Sequence, residues 1–125
     1  MEILLDTNFI VTCIKQKLDF FSLANQLIDK SISWTVPEEV ITELKTLSQR
    51  KGEKTQDRQS AETGLEMIKL LDPKIIKLRD TNTDIGIVNH ILDKPIVLAT
   101  LDRGLKNRVK NKILTIRGKN SLEII

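Results

Sequence analysis

Asp6, Glu43, Asp84 and Asp102 each stand at the edge of an apolar element. Asp6 ends the run Ile3-Leu4-Leu5, and Asp102 follows Ile96-Val97-Leu98-Ala99-Thr100-Leu101. Asp84 opens a helical pattern and Glu43 borders one. A carboxylate held against apolar surface is unfavourable unless it is paired or binds a cation. Four that converge would repel one another and hold a hard divalent ion, Mg²⁺ or Mn²⁺, as one or two ions. The chemistry open to such a set is metal-assisted hydrolysis of a phosphodiester.

Each acid also has a plain structural role. Asp6 and Asp102 can cap the helices that follow them, since Asp is a favoured N-cap. Asp84 lies three residues after Thr81, as in a capping box. It also lies three before Ile87, four before Val88 and seven before Ile91, on the apolar stripe of that helix. Glu43 stands three after Val40 and four before Leu47, along the edge of a buried face, although most helical glutamates are surface charges. Glu38 and Glu39 are accounted for by the positive end of the helix dipole.

The elements that must position these acids alternate. Glu2–Leu5 reads as a buried parallel strand, continuously apolar rather than alternating. Helical patterns follow over about 8–16 and 20–30, the second with a stripe of Phe20, Phe21, Leu23, Ala24, Leu27 and Ile28. Ile32–Val36 is a second strand, and Pro37 begins a helix that buries Val40, Ile41, Leu44 and Leu47. The polar stretch 48–60 reads as a loop or exposed helix end, and Ala61–Leu71 as a helix stopped by Pro73. Ile75–Leu78, Ile96–Thr100 and Ile113–Ile116 are strands, Thr81–Asp93 and Asp102–Lys110 helices, and Leu122–Ile125 an edge strand. This order predicts an α/β fold: a central parallel β-sheet of about five strands flanked by helices, in one domain over residues 1–125. Ligands of such sheets bind beyond the carboxyl ends of the strands. That rule brings Asp6 and Asp102 to one crevice from 96 positions apart.

Composition narrows the field. The chain is 40% hydrophobic and 30% charged, ordinary for a globular protein. Its single cysteine, Cys13, excludes an intrachain disulfide and reads as a core residue. No apolar run reaches the roughly 18 residues of a membrane span and no signal-peptide pattern occurs, so the expectation is a cytoplasmic protein with no membrane partner. The net charge of +3 conceals an asymmetry: residues 94–120 carry eight basic groups and one acid, leaving twelve basic and sixteen acidic groups elsewhere. A basic third beside an acidic site suits a nucleic-acid substrate, although a solvated helix face explains it too. His90 is mid-helix and roughly 240° round from Asp84, so it reads as an exposed histidine outside the site. There is no Ser/His/Asp set, no zinc-type Cys/His spacing and no Gly-rich phosphate loop.

The segments around the acids resemble the PIN-domain ribonucleases. Leu-Leu-Asp-Thr-Asn (4–8) is similar to the family's opening motif. Val-Pro-Glu-Glu-Val-Ile-Thr-Glu-Leu (36–44) is similar to its second, with Glu43 as the acidic member. Asp84 and Asp102 match the third and fourth acids, and Ile96–Arg108 the strand-loop-helix around the fourth. The likeness runs in order along essentially the whole chain. It is greatest to small archaeal members related to rRNA-processing enzymes and to VapC-type toxins, and Ile-Arg-Gly-Lys (116–119) favours the former. The resemblance implies a Mg²⁺- or Mn²⁺-dependent endoribonuclease that leaves 5′-phosphate and 3′-hydroxyl ends, with Asp6, Glu43, Asp84 and Asp102 as catalytic metal ligands. It implies supporting roles for Asn8, which would orient Asp6, and for Thr100, which would hydrogen-bond an acid or a phosphate. Many relatives carry a further acid where Gly104 stands, and some another near Asn82-Thr83, so a second ion would be held more weakly here. RNA would be the substrate, with Arg103, Lys106, Arg108, Lys110 and Lys112 as candidates to neutralise its backbone. An antitoxin, a ribosomal precursor or a second copy of the chain are the expected partners. Two rival readings are a phospho-receiver signalling domain and a PIN fold kept as a non-catalytic RNA- or partner-binding module.

Overall fold

Residues 1–50, 52 and 55–125 are described by a computed structural model. Strand β1 (Glu2–Leu5) leads to helices α1 (Thr7–Lys15) and α2 (Phe20–Leu27), then to β2 (Ser33–Pro37). Helices α3 (Glu38–Gln49) and α4 (Thr55–Leu71) precede β3 (Lys74–Ile76) and α5 (Thr83–Ile91). The chain closes with β4 (Ile96–Ala99), α6 (Arg103–Asn107), β5 (Ile113–Arg117) and β6 (Ser121–Ile124). The six strands form one sheet in the order β3-β2-β1-β4-β5-β6. The first five are parallel, as their continuous apolar character predicts, and β6 pairs antiparallel with β5.

The strand order settles one rival. A receiver-type sheet runs 2-1-3-4-5. Here β1 lies between β2 and β4, so the order reverses at the β1–β4 pair, and the crevice beyond their carboxyl ends is the expected ligand position. The aspartate that a receiver would need after β3, Asp80, instead accepts a hydrogen bond from the Asn89 amide at 3.1 Å.

The two faces of the sheet are covered unequally. On one face Ile3, Leu5, Trp34, Val36, Val97, Ala99 and Leu114 pack under α1 to α4. Phe20 there makes edge-on contacts with Phe9 and Trp34 at 5.6 and 5.7 Å. Leu4, Leu98 and Ile113 point to the other face and meet Ile87 and Ile91 of α5 and Leu105 of α6. Cys13 is a buried core residue whose thiol burial pushes up to about 12, which leaves it unreactive.

Several boundaries differ from the sequence reading for local reasons. Helix α4 begins at Thr55, so of the two readings of this stretch Thr55–Ser60 takes the helix end and not the loop; residues 51, 53 and 54 lie outside the described residues. Its buried face is built from Ser60, Ala61, Gly64 and Ile68, a stripe too small and polar to read as apolar. Gly64 lets α4 approach α1 until an added Cβ would meet Ile10 Cγ2 at 3.0 Å. Helix α2 stops at Leu27, and Ile28 is already extended. Pro37 ends β2 and precedes α3 instead of opening it. Strand β3 is Lys74–Ile76, shorter and earlier than expected, and α5 spans Thr83–Ile91, within the expected 81–93. Its cap is Asn82, whose side chain accepts from the Ile85 amide at 3.0 Å, not Thr81.

The segment between β3 and α5 is pinned at both ends of its apolar contact. The Leu78 amide donates to Glu39 Oε1 at 3.2 Å, so Glu39 is a tether as well as a dipole charge. Leu78 then presses on Gly86, where an added Cβ would meet Leu78 Cβ at 2.9 Å. Gly86→Ala should therefore destabilise the protein by about 1–3 kcal/mol through overpacking, against the roughly 1 kcal/mol that alanine ordinarily gains over glycine inside a helix. Thermal or urea unfolding checks this; a variant as stable as the wild type would mean that the Leu78 segment is free to give way.

Candidate active site

Asp6 terminates β1 and is 7% exposed. Its Oδ1 accepts the Thr7 amide at 2.9 Å and its Oδ2 the Thr100 hydroxyl at 2.8 Å. Thr100 follows β4, the neighbour of β1, and its oxygen also accepts the Asp102 amide at 3.2 Å. One hydroxyl thus links the two strand-end aspartates. Asp102 Oδ1 accepts the Leu105 amide at 3.2 Å and caps α6. The capping role expected as the alternative for Asp102 is real, and it engages Oδ1 of a residue that also lines the cleft.

Asn8 does not orient Asp6 directly, contrary to expectation. Its Oδ1 accepts the Leu101 amide at 3.1 Å, with the Thr100 hydroxyl at 3.4 Å as a secondary donor. Asn8 therefore fixes the β4–α6 turn, and through Thr100 the geometry around Asp6. Glu43 is held from the other side: Thr7 Oγ1 donates to its Oε2 at 2.7 Å. Thr7 escaped the sequence reading although it lies between two residues that did not. The available signal was its place on the first turn of a helix that starts at a strand end.

Asp6, Glu43, Asp84 and Asp102 line one open cleft of about 450 Å³. The sequence rule that joined the two strand ends therefore extends to all four. Their burial differs from expectation. Asp6 is buried and Asp102 half-buried, but Glu43 and Asp84 are exposed, because each sits where its helix turns from core to solvent. Asp84 is on the first turn of α5, at the exposed N-terminal end of the stripe that continues through Ile87 and Ile91. The cleft also contains Lys15 and Asp57, which form the ion pair given by the charged side chains of α1 and α4. Lys15 repeats the face of Thr7 and Val11 at four-residue spacing, a legible signal. Asp57 was hidden because its segment did not read as helix.

The electrostatics of this cleft are one-sided. Burial pushes the Asp6 carboxyl up from 3.8 to about 6; the Thr100 and Thr7 hydrogen bonds oppose the shift, and the negative charges of Glu43 and Asp84 add to it. Lys15, the cation in the cleft wall among the described residues, is engaged by Asp57. The donor set is all oxygen and short of positive charge, which fits a hard divalent cation. Among the described residues no three such side chains stand close enough to form a finished ligand cage. The residues that could hold such an ion are Asp6, Glu43, Asp84 and Asp102. Of the basic residues expected near the RNA, Arg103, Lys106, Arg108, Lys110 and Lys112 do not line the cleft. Lys106 is turned to β5, donating to Thr115 Oγ1 at 3.2 Å.

A family model described as "PIN like domain" matches residues 3–119. The chain belongs to the PIN-like domain family. Among solved structures, this PIN-like chain is similar to the PIN domain endonuclease Utp24, with TM-score 0.79 and 22% identity over 98% of this chain and 90% of that one. It is also similar to a chain of VapBC2 from Rickettsia felis, solved bound to a DNA fragment from their promoter, with TM-score 0.62 and 19% identity over 94% and 100%. At these identities the likeness concerns the fold. No curated protein matches by sequence.

The raised Asp6 carboxyl carries a pH signature. Its folded value lies above the unfolded one, so its contribution to stability is complete below about pH 4 and is lost as pH rises through about 6. The move from 3.8 to about 6 corresponds to about 3 kcal/mol. In metal-free protein, the stability of Asp6→Asn relative to wild type should rise between pH 4 and pH 6.5 and then level off. Paired thermal melts across that range check it; a constant difference would mean that Asp6 is not the strained anion described.

Proposed function

We propose that this PIN-like domain is a divalent-metal-dependent endoribonuclease. The observation that carries the reading is the convergence of Asp6, Glu43, Asp84 and Asp102 on one cleft around a buried carboxylate that lacks a counter-charge. The endonuclease named among its structural neighbours supports the same class of activity. Asp6 and Asp102 would hold Mg²⁺ or Mn²⁺, with Glu43 and Asp84 completing the set. When bound, the ion supplies Lewis-acid stabilisation of charge on the phosphate and makes water more acidic.

The chain's own residues have distinct tasks in this reading. Thr100 keeps Asp6 Oδ2 aimed by donating to it and fixes the Asp102 backbone by accepting from it. Thr7 holds Glu43 within reach of the same centre. Lys15 is held by Asp57 in the cleft wall, and release from that pair would let its ammonium meet a phosphate of the substrate. No side-chain nucleophile is required in this reading. A role in ribosomal precursor processing and a toxin role use the same chemistry. A small antitoxin gene directly upstream would assign the second.

Cleavage of single-stranded RNA in Mn²⁺ tests the proposal. Asp6→Asn and Asp102→Asn should each abolish cleavage while the fold is retained. Wild-type rates in both would remove the site, and an inactive wild type with intact RNA binding would instead favour a non-catalytic module. Glu43→Gln should lower the rate with partial recovery in excess Mn²⁺. The proper control is Glu38→Gln, an exposed charge, expected within about 0.5 kcal/mol and unchanged in rate. Glu39 does not serve, because its carboxylate holds the Leu78 amide. Equal loss in Glu38→Gln and Glu43→Gln would show that Glu43 acts only as a surface charge.

A further inference from the structure

Helices α5 and α6 pack on Leu4, Leu98 and Ile113, with Ile76 at the edge of the same cluster. Strand alternation turns Glu2, Thr35, Lys74 and Ile76 to this same face as Leu4. Beside it a groove of about 660 Å³ lies between the β3–α5 connection and α5. Lys77, Arg79, His90 and Lys94 line it, over Ile76.

Its charge is predominantly positive and available. Lys77, Arg79 and Lys94 make no side-chain hydrogen bond or ion pair among the described residues. Asp80 also lines the groove, where it accepts from Asn89 at 3.1 Å, so Lys77, Arg79 and Lys94 outweigh it by a net charge of +2. His90 is half-buried rather than exposed as the sequence suggested. Burial lowers its basicity first, then Lys94, with Lys74 and Arg79 acting the same way against Glu2. The ring therefore sits in a field set by lysine and arginine.

The groove and the acidic cleft share a helix. Asp84, on the first turn of α5, lines the cleft, while Asn89 and His90, on its last turns, line the groove. Asp84 and His90 are about 9 Å apart along the axis and roughly 240° apart around it, so a strand passing from cleft to groove crosses the surface of α5. A polyanion entering a cleft walled by Asp6, Glu43, Asp57, Asp84 and Asp102 meets repulsion there and needs cations alongside to remain bound. We propose that this groove binds the sugar-phosphate backbone of single-stranded RNA adjoining the acidic cleft. The choice of RNA rests on the nuclease reading. No Phe or Trp lines the groove, since Phe9, Phe20, Phe21 and Trp34 all belong to the opposite core. Binding should accordingly be indifferent to base sequence and steep in salt.

The test is fluorescence anisotropy with a labelled 12-nucleotide single-stranded RNA of mixed sequence, in EDTA so that no cleavage enters. An inactive enzyme would defeat the nuclease reading without touching this measurement. The triple variant Lys77→Ala/Arg79→Ala/Lys94→Ala should weaken binding at least tenfold at low salt. It should also lower the log–log salt slope by about 2, at roughly 0.7 for each phosphate no longer neutralised. Affinity and slope equal to wild type would overturn the proposal. A second measurement needs no variant: ultraviolet cross-linking of 4-thiouridine RNA to the wild-type protein, with adducts mapped by mass spectrometry. Adducts within residues 76–80 or 89–94 support the groove, and adducts found only outside these two segments would overturn it.

Discussion

One buried carboxylate organises this molecule. Asp6 is carried into the crevice by β1, and burial alone would favour its neutral form. Two donors, the Thr7 amide and the Thr100 hydroxyl, favour the anion, but two acids act against it. Above about pH 6 the group ionises all the same, and something positive nearby would stabilise that anion. Among the described residues no side chain does this, because Lys15 is committed to Asp57. A cation from solution is the simplest partner for the site.

The surrounding fold can be understood as what holds that carboxylate in place. The β1–β4 pairing sets Asp6 beside Thr100, and the Asp6 amide donates to the Ala99 carbonyl at 3.0 Å, extending the ladder to the edge of the cleft. Asn8 clamps the turn after β4. Helix α3 delivers Glu43 to Thr7, and the same helix, through Glu39, anchors the chain that leads into α5 and Asp84. The contact of Leu78 with Gly86 sets how closely α5 approaches that chain. Stability and site geometry thus share residues, so substitutions such as Gly86→Ala act on both.

Much of this was legible in the chain. Continuous apolar strands gave a parallel sheet, and two aspartates at strand ends gave the crevice, because both follow from strong local rules. The ordered motifs pointed to the family to which the chain belongs. What escaped was contributed by small or polar groups acting through tertiary packing. Helix α4 hides its core face in Ser60, Ala61 and Gly64, so Asp57 could not be placed in the cleft. Glu39 read as a dipole charge because its partner, a backbone amide 39 residues away, has no sequence signature. Glu43 and Asp84 line the cleft but are more exposed than helical periodicity implied, since periodicity fixes a direction and not a depth. The charge run after Asp102 indicated a basic surface, whereas the cationic groove between β3 and α5 is assembled from residues spread over 74–94.

The central claim is that Asp6 must ionise to receive a divalent cation. Mn²⁺ binding to the wild-type protein, followed by electron paramagnetic resonance between pH 5 and pH 8, addresses it directly. Affinity should be constant above about pH 7 and fall towards tenfold per pH unit below about 6, as protons compete for the carboxylate. The fall should be absent in Asp6→Asn, which should bind weakly throughout. Affinity that is independent of pH in the wild type, or equal in wild type and Asp6→Asn, would contradict the claim that this buried carboxylate is the centre of the site.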